Sequence, residues 1–265
     1  MKIELNIPKY TDRELEEAAL MRYCRDISSP TNFPFWYNPM KDHVPTPKSE
    51  YWHLSFEEFT EMLKWAYGDS PKWEMPRSLN VADWVNHNVG FPFFLKTGTF
   101  SGKHDWRDTC FVRSAEYITW HIRHLYYMSE CMNAPATPTI VAREFLECDY
   151  WFTAFGGTPI TTEVRLFSKE GGQVDSWQHY WSDEALEGRL ADADWAVLRD
   201  MQEKAKAAIP KLIADTENAL RKSGLSYMEW SVDWLLGSNG NWYMIDMAER
   251  QTSYVSTDII RIKNK

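Results

Sequence analysis

The spacing of hydrophobic positions changes several times along the chain, and each change marks an element. Residues 11–25 (TDRELEEAALMRYCR) repeat at helical spacing, with Leu15, Ala18, Ala19 and Tyr23 on one side. Thr11 and Glu14 supply a capping box at the start. Residues 28–47 hold five prolines (30, 34, 39, 45 and 47) among Phe33, Phe35, Trp36 and Tyr37. That mixture predicts a rigid, non-helical connector whose aromatics dock on a larger body. Residues 55–67 (SFEEFTEMLKWAY) read as a second helix, capped by Ser55 and Glu58 and ended by Gly68, with Phe56, Phe59, Leu63 and Ala66 on one face. Residues 91–96 (FPFFLK) form a short apolar run, hence a buried strand, and residues 114–128 resemble a helix stopped before 133–138. Residues 139–146 (TIVAREFL) are β-rich. Residues 163–168 (EVRLFS) alternate as a strand that Gly171–Gly172 turns into 174–181. Residues 192–222 give the longest helical stretch, interrupted at Pro210 and closed by Gly224. The order predicts an α+β fold with a largely antiparallel second half, with no internal repeat and no Ser/Gly linker.

The last hairpin is the most informative piece. Residues 230–236 (WSVDWLL) and 242–247 (WYMIDM) flank Gly-Ser-Asn-Gly-Asn, and Asn239–Gly240 is a strong hairpin signal. A two-residue loop there pairs Ser238 with Asn241 and sets Asp233 directly opposite Asp246, with Cβ atoms ~4.5–5.5 Å apart. A four-residue loop keeps that register. A three-residue loop slips it and puts the two on opposite faces. Opposed like charges inside apolar strands need compensation. Either a divalent cation such as Mg²⁺ bridges them and leaves positions for phosphates, or one Asp is off the sheet or paired with Arg250.

The 265 residues are 44% hydrophobic and 25% charged, inside the globular range, which excludes collagen, low-complexity disorder and coiled coil. The net charge of −9 argues against a general nucleic-acid binder. The 14 tryptophans therefore read first as core and groove filling, and only second as a stacking surface. Four dispersed cysteines without a CxxC pair fit a reducing compartment. No stretch has the length of a membrane span and residues 1–10 lack a signal-peptide core, so the expectation is cytoplasmic, with no membrane partner.

Lys96 closes the apolar strand and precedes Thr97-Gly98-Thr99-Phe100-Ser101-Gly102-Lys103. A lysine beside a Gly/Ser/Thr turn can present a point charge and backbone N–H groups to phosphates, although such turns are common and this one departs from the Walker A spacing. Arg165 projects from an alternating strand. It either pairs with Glu163 on the same face or reaches a terminal phosphate. His121 and His124, without an acidic or cysteine ligand nearby, read as surface or stacked histidines; His104 sits in the presumed phosphate loop. No histidine spacing makes Cys148 a nucleophile.

Five pieces in order resemble the ATP-grasp superfamily: VPTPKS (44–49), FPFFLKTGTFSGKHDW (91–106), VAREFLECD (141–149), ITTEVRLF (160–167) and SVDWLLGSNGNWYMIDMA (231–248). Within it, the Lys-x-x-x-x-Ser-x-Lys-x-Asp-Trp run, the Glu-x-Arg strand and Gln178-x-Tyr180-Trp181 are most similar to the cell division cycle protein 123 group, and compact phage-encoded ATP-grasp proteins are a similar comparison. The resemblance implies a short N-terminal segment (1–43) and two α+β subdomains (44–142 and 143–265) that clamp Mg-ATP. It assigns Lys96 to the α- and β-phosphates and Thr97, Gly98, Ser101 and Lys103 to the loop over them. Glu144, Phe145 and Leu146 become the adenine hinge, and Glu147 or Asp149 the ribose acid. Arg165 falls near the γ-phosphate, and Asp233 and Asp246 are the metal carboxylates.

Lys41, Lys48 and Lys64 are candidates for a further ATP lysine. Ala248 stands where an asparagine ligand is expected, with Glu249 as a substitute. The function implied is ATP-dependent ligation of a small-molecule, peptide or protein carboxylate to an amine or thiol through an acyl phosphate. The other is a non-catalytic ATP-binding assembly factor or chaperone for a protein partner.

Overall fold

The computed structural model describes residues 11–67, 74–76, 79–134, 137–149, 152–155 and 157–262; the Gly68 stop and residues 1–10 lie outside them. The first half builds α1 (Asp12–Asp26), α2 (Phe33–Met40), β1 (Ser49–His53), α3 (Phe56–Tyr67), α4 (Val81–Asn88), β2 (Phe93–Thr97), β3 (Phe111–Val112), α5 (Ile118–Cys131) and β4 (Thr139–Glu144). The second builds β5 (Thr153–Ala154), β6 (Thr158–Pro159), β7 (Glu163–Ser168), β8 (Val174–His179), α6 (Asp183–Leu186), α7 (Asp192–Lys222), β9 (Trp230–Leu236), β10 (Trp242–Glu249) and β11 (Ile260–Arg261). Both capping boxes form: Thr11 with Glu14, and Ser55 with Glu58.

Two antiparallel sheets carry the fold, in orders β1-β4-β2-β3 and β10-β9-β7-β8-β11, beside a small β5-β6 ribbon. Strand alternation gives each sheet one helix-covered face. Phe93 and Leu95 of β2 and Ile140 and Ala142 of β4 pack with α1, α3, α4 and α5. Val164, Leu166, Val232, Trp234 and Met244 pack instead with α2 and α7. The intervening residues Phe94, Lys96 and Arg143 of the first sheet, and Glu163, Arg165, Asp233 and Asp246 of the second, occupy the opposite faces, where the sheets approach each other.

Three expectations are corrected. The proline-rich connector contains a helix: Pro34 sits at the start of α2, where its missing N–H costs nothing, and the docked aromatics Phe33, Trp36 and Tyr37 are buried as expected. Pro210 does not interrupt α7, which runs 31 residues without a break. Its side is exposed, where solvent can reach the carbonyl that lost its partner.

The third correction concerns the hairpin. Trp242 pairs with Leu236 and Gly237 N–H donates to Asn241 O, so the loop has three residues, with Gly240 alone at positive φ (78°). This loop alone would separate the aspartates, but a β-bulge between Met244 and Asp246 restores the register and pairs Asp246 with Asp233. The predicted pairing is therefore present by a different route.

Candidate functional site

A cleft of about 420 Å³ opens between the uncovered sheet faces. The bulge shapes it: Ile245 and Asp246, consecutive in sequence, both line the cleft, and the Ile245 carbonyl is left free to accept from Arg143 Nη1 at 2.6 Å. Arg143 is buried, and its guanidinium lies 4.3 Å from the Phe94 ring centre.

Each opposed aspartate carries its own cation. Arg165 grips Asp233 with two parallel bonds of 2.7 and 2.8 Å, and Lys96 Nζ donates to Asp246 Oδ1 at 2.9 Å. The alternatives left open by the sequence are thereby corrected: Arg165 pairs with Asp233 rather than Glu163, and Arg250 pairs with Asp175 rather than either aspartate. Glu163 instead faces Lys103, whose Nζ is 3.4 Å away and 3.7 Å from the Tyr180 ring centre. Burial draws the Lys96 ammonium below its ordinary value, against the pull of Asp246. Burial pushes the Asp233 carboxyl up, opposed by Arg165.

The other predicted residues divide cleanly. Ser101, Lys103, Glu144, Phe145, Leu146, Glu147 and Asp149 line the cleft with Lys96, Asp233 and Asp246. Glu147 O accepts from Ser238 N–H at 2.8 Å, which ties the segment after β4 to the hairpin loop. Thr97 and Gly98 are not brought in. Thr97 Oγ1 accepts from Phe100 N–H, and Gly98 N–H donates to Thr137 Oγ1 and Thr139 O, so their hydrogen bonds are spent inside the fold. Arg165 lies one layer behind, under the Tyr180 ring. None of the three further lysines reaches the cleft: Lys48 donates to Asn88 O, Lys64 pairs with Glu16 and Glu61, and Lys41 lies over Tyr37.

Ala248 opposes Ser231 on the Asp246 side of β10, whereas strand alternation turns Glu249 to the other side, so Glu249 is no substitute ligand. His124 is stacked on Trp120 as expected, although an acidic partner does lie nearby, Asp105 Oδ2 at 2.6 Å from its Nε2. His121 is buried and bonds to Thr109 O rather than lying at the surface. His104 packs on Phe155. Burial pushes the Cys148 thiol up to about 12, which keeps it inert at neutral pH. Among the described residues no three His, Cys, Asp or Glu side chains converge as a metal cage, and no helix is long and apolar enough to cross a membrane.

The donor set nonetheless fits a hard cation delivered with phosphates. Asp246 has a 40% exposed side chain and only Oδ1 engaged among the described residues, and Asp233 is directly opposite. Mg²⁺ is typically held by one or two carboxylates plus phosphate oxygens.

Sequence reasoning missed Arg143, although a charged residue inside an apolar strand was the signal that picked out the aspartates. It also missed the role of Glu163 and Trp181, whose position depends on tertiary packing.

No family model matches the sequence, and no curated protein is a significant match. Among solved structures the chain is similar in fold to Cdc123 from Schizosaccharomyces pombe, at TM-score 0.49 and 13% identity, over 92% of this chain and 87% of that one. It is also similar to the ATP-grasp ligase PsnB, solved with precursor peptide and AMPPNP (TM-score 0.38, 14% identity, 84% of this chain, 50% of that one). The L-amino acid ligase from Bacillus licheniformis is a third (0.40, 13%, 83% and 40%). The chain spans half or less of both ligases.

Proposed function

We propose that this protein binds Mg-ATP in the inter-sheet cleft and uses it to ligate a carboxylate to an amine or thiol. One observation carries the reading: three cations, Lys96, Lys103 and Arg143, line one cleft with the opposed pair Asp233 and Asp246, and a fourth, Arg165, backs it through Asp233. A triphosphate needs that density of positive charge, and the carboxylates suit the cation that accompanies it.

In the reaction proposed, an oxygen of the substrate carboxylate attacks the γ-phosphorus and the bond to the bridging oxygen of ADP breaks. The amine nitrogen then attacks the acyl carbon, the carbon–oxygen bond to phosphate breaks, and the amine proton is released to solvent. Bound Mg²⁺ would neutralise phosphate charge as it shifts between oxygens. The protein's own groups position and neutralise; none forms a covalent bond. Lys96 exchanges Asp246 for phosphate, while Arg165, held rigid by Asp233, presents its charge beneath the transferring group.

A second reading, a non-catalytic ATP-binding assembly factor acting on a protein partner, is favoured by Ala248, which supplies no third ligand oxygen beside Asp246.

Calorimetric titration of Mg-ATP, with ATP in EDTA as control, tests the shared part. Binding that requires metal and is lost in Lys96→Ala supports it, and absence of binding at millimolar ATP overturns it. Acid-quenched ADP release with pools of amino acids or peptides separates the two readings: a ligase is stimulated by one pool, an assembly factor by none.

A further inference from the structure

Lys103 springs from the turn after β2 but ends in a socket built by the other half of the molecule. Its Nζ lies 3.4 Å from Glu163 Oε2, 3.7 Å from the Tyr180 ring centre and 5.1 Å from that of Trp181. The socket is rigid without the lysine. Glu163 is buried, and its other oxygen, Oε1, accepts from Thr161 Oγ1 at 2.7 Å and Trp181 Nε1 at 3.0 Å. One carboxylate oxygen left free beside two aromatic rings is the recognition chemistry of a primary ammonium. A guanidinium would need both oxygens for its fork, and Oε1 is already committed.

The lysine backbone is fastened independently of its side chain. Lys103 O accepts from Thr158 Oγ1, and Thr109 Oγ1 holds Gly102 O at 2.7 Å. The side chain can therefore withdraw while the turn stays in place. Burial alone would lower the Lys103 ammonium, but Glu163, Tyr180 and Asp233 outweigh it and hold the group above its ordinary value, so the socket favours charge.

We propose that the socket of Glu163, Tyr180 and Trp181 binds the ammonium group of the amine substrate, with Lys103 filling it until phosphates draw that side chain away. The exchange rests on the nucleotide reading above and the naming of a substrate amine on the ligase reading; the socket's affinity for an ammonium rests on neither. The proposal concerns binding of the protonated amine.

The test is calorimetric titration of n-propylammonium chloride into wild type and Lys103→Ala, both without nucleotide, against 1-propanol and sodium chloride. The variant is expected to bind the ammonium about tenfold or more tightly than wild type does, as a desolvated cation over aromatic faces implies. It should ignore 1-propanol and lose the gain when Glu163→Gln is added. Equal weak binding in variant and wild type overturns the socket. Wild type loaded with Mg-AMPPNP gives a second reading that needs no variant: ammonium binding there and not in the free protein supports the exchange. Ammonium binding by Lys103→Ala but not by the loaded wild type keeps the socket and overturns the exchange, a result distinct from failure of nucleotide to bind at all.

Discussion

Lys96 and Asp246 neutralise each other across the cleft, and in the function proposed above Asp246 bears on nucleotide in two opposite ways. Without metal its carboxylate both occupies Lys96 and repels phosphate; with Mg²⁺ it becomes an attraction. Asp246→Asn is therefore expected to bind ATP about fivefold more tightly than wild type in EDTA, a change of ~1 kcal/mol, and about fivefold more weakly in excess Mg²⁺. Calorimetry under the two conditions reads the crossover directly. At Gly98 the constraint is steric, since an added Cβ would stand 1.8 Å from Asn32 Oδ1. Gly98→Ala should cost ~1–3 kcal/mol in a denaturant melt. Of these single-residue features, the charged strand positions were legible because charge inside an apolar run has few bland explanations. The pairing of Lys103 with Glu163 was not, because one lies on the turn after β2 and the other 60 residues later on β7.

Among the elements, those with strong periodicity or caps were legible, and α7 matches its predicted bounds. The failures share a cause. Local rules priced the prolines of α2 and α7 and the Asn-Gly loop as if each stood alone, whereas burial of Phe33, Trp36 and Met40, worth ~1.5–3 kcal/mol each, pins α2 against the larger sheet. Pro210→Ala, replacing a residue that cannot donate on the solvent side of α7, should raise stability by ~1–3 kcal/mol in the same kind of melt. The bulge at Ile245 was invisible because the sequence carries no separate mark for it. Deleting Ile245 leaves the aspartates opposed in a regular ladder but removes the carbonyl that anchors Arg143. The deletion variant is expected to fold and to bind Mg-ATP about tenfold more weakly; unchanged affinity would show that the bulge serves only the hairpin.

For the molecule as a whole, burial holds His53, His104, His121 and His179 below their ordinary value. The unfolded chain then takes up protons first as pH falls. Stability is complete above about pH 6.5 and declines below it toward the lowered folded values. Melting temperature should drop between neutral pH and pH 5.5, and His121→Gln should flatten that slope. A longer-range consequence follows from the unbroken 31-residue α7, ~46 Å end to end. Its first turns pack in one apolar cluster with Trp181 and Phe152, while its last turns, from Ala205 to Leu220, are sealed into the core of the larger sheet. It acts as a lever, anchored at the far end and resting against the Trp181 wall of the cleft at the near end. The part outside that core, residues 192–204, is ~20 Å long, so a tilt of only ~5° about Ala205 would carry the near end ~2 Å. Whatever settles against Trp181 therefore meets the first turns of a helix whose other end is part of the larger sheet's core.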